Sequence, residues 1–113
     1  MVKQGEWLVI RTDGTEQKFS GKPTFDAIYK QMSCTCTDSV LLDRKKQIVM
    51  LVDDDGYETV PVDHGNGVIE LKCVKARRPV NEKATKLYLS VCRPGTTHQI
   101  VGDVAIVNAE DFA

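Results

Sequence analysis

The stretch Gln99-Ile100-Val101-Gly102-Asp103-Val104-Ala105-Ile106-Val107-Asn108 most constrains what this chain can fold into. A strand with one wet face alternates apolar and polar residues. This run is apolar at both parities, so it belongs in the centre of a sheet and buried. The run extends back to His98, and only Gly102-Asp103 interrupts it. That pair reads as either a bulge in one long strand or a two-residue hairpin turn.

A capped helix precedes it. Asn81 is a good N-cap and Glu82 suits the first turn. Ala84, Leu87, Tyr88 and Val91 repeat at i, i+3, i+4 and i+7, with Lys83, Lys86 and Ser90 facing away. Arg93 suits the C-terminal end, and Pro94-Gly95 stops the helix.

Earlier in the chain, Glu6 to Thr12 reads as a strand. Asp13-Gly14 turns it back onto Thr15 to Phe19. Thr24 caps a first helix with the stripe Phe25, Ile28, Tyr29 and Met32. Val40 to Leu42 and Gln47 to Val52 read as two strands around a polar turn. Tyr57 to Val62 is β-prone, but Pro61 demotes it to an edge or loop. Val68 to Val74 reads as a strand, and residues 109–113 as a flexible tail. The expectation is one α+β domain over residues 1–113, an antiparallel or mixed sheet with two helices packed on one face.

Charge and cysteine use narrow the function classes. Lys and Arg number 15 against 16 Asp and Glu, a formal net charge of −1. That argues against a nucleic-acid binder driven by electrostatics, although Arg44 to Lys46 and Lys72 to Arg78 are local basic clusters. No basic start with an unbroken apolar run is present, and no stretch reaches the roughly 18 apolar residues of a membrane span. The expected setting is the cytoplasm, with thiols reduced. Cys34 and Cys36 form one tight pair, while Cys73 and Cys92 stand alone, which is not a structural zinc pattern. Cys73 and Cys92 read as small core residues. Asp53-Asp54-Asp55-Gly56 resembles the start of a calcium loop, but the twelfth position holds His64 instead of Glu. It reads as a solvated turn, and no metal or cofactor is expected.

Folding does not explain every polar residue near the second helix. Arg93, Thr96, Thr97 and His98, together with Arg77 and Arg78, could meet a phosphate or carboxylate. Asp103, among apolar neighbours, must be paired or hydrogen-bonded. It reads more readily as a structural residue bonding local amides than as a functional acid. No nucleophile has a flanking catalytic signature, so no enzyme activity is expected.

The segments Pro79-Val80-Asn81-Glu82-Lys83-Ala84-Thr85-Lys86-Leu87-Tyr88, Gly95-Thr96-Thr97-His98 and Ile100-Val101-Gly102-Asp103-Val104 resemble a family of small phage- and actinobacterial-type proteins, a domain of unknown function. The Asn-Glu-x-Ala-Thr and Gly-Asp pieces are its distinctive parts, and residues 57–78 look like an insertion. The resemblance implies a mobile genetic element and no catalytic residues. The function expected is a non-catalytic accessory protein that binds a host or phage protein, modulating or inhibiting a host factor such as a CRISPR defence complex. A homo-oligomer is compatible with this. The alternative is a small-molecule or nucleotide-binding protein with an anion site near residues 93–98.

Overall fold

The computed structural model describes residues 2–54, 57–65, 67–76, 78–92 and 99–112. Five strands, β1 (Glu6–Ile10), β2 (Glu16–Ser20), β3 (Thr37–Asp43), β4 (Ile48–Asp53) and β7 (Val104–Asn108), form one antiparallel sheet. Its order is β2-β1-β7-β4-β3. The apolar C-terminal run is the central strand, and all five residues of β7 are buried. It is shorter than its hydrophobicity implies. Gly102 adopts φ +79° and its amide donates to the Pro79 carbonyl, while Val101 bridges Val80. The pair Gly102-Asp103 is therefore neither a bulge nor a hairpin turn. It is the bend at which the chain leaves the Val80 segment and enters the sheet.

The helices are α1 (Phe25–Met32) and α2 (Glu82–Val91), which with the antiparallel sheet make a small α+β domain. They do not share a face. Ile28 and Met32 of α1 pack with Trp7, Val9, Leu51, Ala105 and Val107. Ala84 of α2, flanked by Leu87 and Tyr88, packs with Leu8, Ile10, Ile48, Met50, Val104 and Ile106. Alternate residues of one strand point to opposite sides, so the two clusters are opposite faces of the same sheet. Both parities of β7 are apolar, and each needs its own cover. A Trp7–Phe19 stack, centroids 4.3 Å apart, extends the α1 face onto β2.

Local signals set the boundaries. Thr24 and Asn81 cap the helices through their side chains, accepting from the amides of Ala27 and Ala84. In the β1–β2 turn, Asp13 accepts from the Thr15 hydroxyl and amide. Those bonds, the hydroxyl's first, hold the Asp13 carboxyl below the ordinary carboxylate range. Met32 and Ile28 are the buried members of the α1 stripe, while Phe25 at its start is exposed.

The remaining strands, β5 (Tyr57–Asp63) and β6 (Ile69–Ala76), pair antiparallel with each other in a separate two-stranded sheet. Pro61 thus sits in a strand. Both strands of such a ribbon are edges, so a missing N–H is tolerated there. The radius of gyration is 15.3 Å, against about 13 Å for a compact chain of this length. The long axis measures 51 Å and the other two 29 Å.

The C-terminal residues were expected to be a loose tail. Instead Ala109–Phe112 forms a 3-10 turn. Asp111 there accepts from the Gly5 amide at 3.1 and 3.2 Å, and Glu110 accepts from Gln4 at 2.6 Å.

Asn81 joins the parts at the opposite end of β1. It is fully buried. Its Oδ1 accepts from the Ala84 amide, and its Nδ2 donates to the carbonyls of Ile10 and Gly102, all at 3.0 Å. Its backbone amide donates to the Ile100 carbonyl. Asn81→Ala removes the cap and orphans two buried carbonyls, with an expected cost of about 2–4 kcal/mol in urea unfolding. Asn81→Asp keeps the acceptor but sets an anion against two carbonyl oxygens, so it is expected to cost more than alanine.

Candidate functional site

Of the seven residues that sequence reasoning singled out, Arg77, Arg93, Thr96, Thr97 and His98 lie outside the described residues. Arg78 and Asp103 are described, and both line one hollow of about 180 Å³ with Thr12, Met32, Ser33, Pro79 and Gly102. Each already has an ionic partner. Asp103 follows Arg11 in register, one step past the Ile10–Val104 pair. Its Oδ2 accepts from Arg11 Nη1 and its Oδ1 from the Thr12 amide, both at 3.0 Å. Arg11 also reaches the Gln31 carbonyl and the side-chain oxygens of Gln17 and Gln31. One guanidinium thereby ties the β1–β2 hairpin and the end of α1 to the entry of β7.

Arg78 forms the second clamp. Its Nε donates to Asp53, whose side chain is 1% exposed, and its Nη2 donates to the Ser33 carbonyl at 2.8 Å. The Asp53-Asp54 sequence was expected to be a solvated turn. Only Asp54 is exposed, and Asp53 is the buried counter-ion that fixes the foot of the ribbon to β4. Asp55 and Gly56 lie outside the described residues. A charge-assisted bond of this kind is a fold constraint unless a ligand can displace it. The hollow is also smaller than the roughly 300–1,000 Å³ of most small-molecule pockets.

Larger hollows flank α2. One of about 310 Å³ has Leu8, Ile10 and Leu87 as its apolar lining, with Glu16, Lys83, Lys86 and Ser90 around them. A second, of about 240 Å³, is lined by Thr12, Asp13, Gly14, Glu82 and the same two lysines. Across the helix a third, of about 280 Å³, is lined by Leu42, Asp43, Lys46, Ile48, Leu87, Ser90 and Val91. Lys83, Lys86 and Ser90 were expected to face away from the core, and all three are exposed. From the surface they rim these hollows, and Lys83 bonds Glu16 of β2 at 3.2 Å. The cause is the β2 surface. Glu16 stands beside Ile10 and Lys18 beside Leu8, so the sheet turns polar just where α2 shows its lysines. A helical wheel alone cannot show this, because the opposing strand's register decides it.

The cysteines take unlike settings. Cys34, in the loop after α1, is partly buried, whereas Cys36 is exposed and Cys92 intermediate. Burial, reinforced by the Asp53 carboxylate, pushes the Cys34 thiol up to about 11.

No protein-family model matches this chain, and no curated protein or solved structure matches it either. Among the described residues, no helix is long and apolar enough to cross a membrane.

Two outcomes follow from this geometry. A Cβ on Gly102 would sit in the left-handed region, 2.9 Å from the Arg78 Cδ. Gly102→Ala should therefore lose about 1–3 kcal/mol in denaturant unfolding, as Arg78 is displaced from Asp53. Iodoacetamide at pH 8 should label Cys36 well before Cys34, read by peptide mass mapping, because the thiolate is the reactive form. The raised Cys34 value also sets a sign. The stability linked to its neutral thiol is full below about 9 and is lost as pH rises towards about 11.

Proposed function

We propose that this protein is a non-catalytic binding module that takes up an extended segment of a partner protein along its β5–β6 ribbon. The observation that carries this reading is the ribbon's separation from the five-stranded sheet. A two-stranded hairpin is marginal alone in water, and a third strand or a covering surface stabilises it. Its outer edges offer unpaired backbone groups for strand addition. Proline is accommodated where its missing N–H faces outward, so Pro61 leaves β5 with a gap and β6 as the more complete edge. The tip adds apolar contact area, since Val68 and Ile69 are 57% and 65% exposed. The Arg78–Asp53 clamp holds the ribbon's foot.

In this reading the chain, on its resemblance to phage- and actinobacterial-type proteins, belongs to a mobile genetic element and acts in the host cytoplasm. Its partner is a host or phage protein, with a CRISPR defence complex the first host factor to test. The test compares the intact chain with a variant in which residues 58–75 are replaced by a short glycine-serine turn. The five-stranded sheet shares no ladder with the ribbon, so the variant should still unfold cooperatively. Pull-down from host lysate should recover a partner with the intact chain and lose it with the trimmed one. Equal recovery by both would overturn the ribbon's role.

A further inference from the structure

The two hollows on the β1–β2 side of α2 share Lys83 and Lys86. The shared lysines make them neighbours, an apolar hollow beside a polar one. On one side is an apolar chamber with Leu8 and Ile10, both nearly fully buried, and Leu87. On the other is a polar chamber with Thr12, Asp13, Gly14 and Glu82. The charged groups lining the cleft are the carboxylates of Asp13, Glu16 and Glu82 and the ammonium groups of Lys83 and Lys86. Glu16 is engaged with Lys83. Asp13 uses only Oδ1 in its turn. Among the described residues, Glu82 and Lys86 have no ion-pair partner.

We infer that this cleft binds a free apolar α-amino acid in its zwitterionic form. The side chain would enter the apolar chamber, the carboxylate would meet Lys86 and Lys83, and the ammonium would meet Asp13 and Glu82. Charge complementarity selects this occupant. A simple fatty carboxylate would answer Lys86 but leave Asp13 and Glu82 without a counter-charge. A simple amine would leave the Lys86 ammonium without a counter-charge. A zwitterion, with its charges on adjacent atoms, answers both sets. The volume of about 310 Å³ lies at the small end of ligand pockets, which suits one leucine or phenylalanine side chain. The inference is independent of the ribbon, whose strands do not line the cleft.

The test is titration of the intact chain, followed by calorimetry and by backbone amide shifts, with three probes. L-Phenylalanine carries both charges, N-acetyl-L-phenylalanine only the carboxylate, and L-phenylalaninamide only the ammonium. L-Phenylalanine should bind, and each blocked form should bind about tenfold more weakly or worse, the scale of one lost charge-assisted hydrogen bond. Lys86→Gln, at an exposed position, should weaken L-phenylalanine about tenfold. Lys46→Gln, in the hollow across the helix, should leave it unchanged. Equal binding of either blocked form overturns the zwitterion assignment. An absence of binding at millimolar L-phenylalanine overturns the site. Equal loss in both lysine variants would show that net charge, and not this cleft, is being measured.

Discussion

The carboxamide of Asn81 is the interaction on which the rest of this structure depends. A helix start, the end of a sheet strand and the bend into the central strand all meet at the fully buried Asn81. Each brings a backbone group that must be paired: the Ala84 amide, the Ile10 carbonyl and the Gly102 carbonyl. A carboxamide supplies one acceptor and two donors on a single planar group, which matches this set. A carboxylate cannot donate, and a hydroxyl supplies only one donor. Asn81 is therefore more than a helix cap. It fixes α2 relative to β1 and β7, and so fixes where the hollows beside α2 lie.

From that joint the two faces of the sheet diverge. On the α1 face, Ile28 and Met32 press onto Val9, Ala105 and Val107, and the Trp7–Phe19 stack closes the edge. On the other face α2 buries only Ala84 completely, with Leu87 and Tyr88 partly covered. Hollows flank this helix on both sides, lined by Leu8 and Ile10 on one and by Leu42 and Ile48 on the other. The larger hollows lie there. The Arg11–Asp103 and Arg78–Asp53 pairs do a different job. They hold the β1–β2 hairpin, α1 and the ribbon's foot to the sheet without filling space.

Much of the fold was legible in the residues. The caps at Thr24 and Asn81, the Asp13-Gly14 turn and the centrality of β7 all follow from local chemistry or from apolar parity. The placement of the helices did not. Apolar residues at both parities of β7 demand two covers, but parity does not say which helix goes to which side. The candidate site was less legible. Arg78 and Asp103 were singled out because isolated charges near apolar runs need partners. Their partners, Asp53 and Arg11, lie 25 and 92 residues away in sequence, beyond any local pattern. Asp53 looked solvated because its neighbours are acidic, but it is buried and paired with Arg78.

By itself the sequence determined the element types, their caps and the identity of the buried central strand. These depend on the backbone preferences and hydrophobic period of contiguous residues. Tertiary structure decided the rest: one helix on each face, the ion pairs between distant residues and the separate ribbon. It also set the exposed Lys83 and Lys86 at the rims of the hollows beside α2. Each of those outcomes depends on strand register and on which surfaces meet across the sheet, and a one-residue change of register would reverse it.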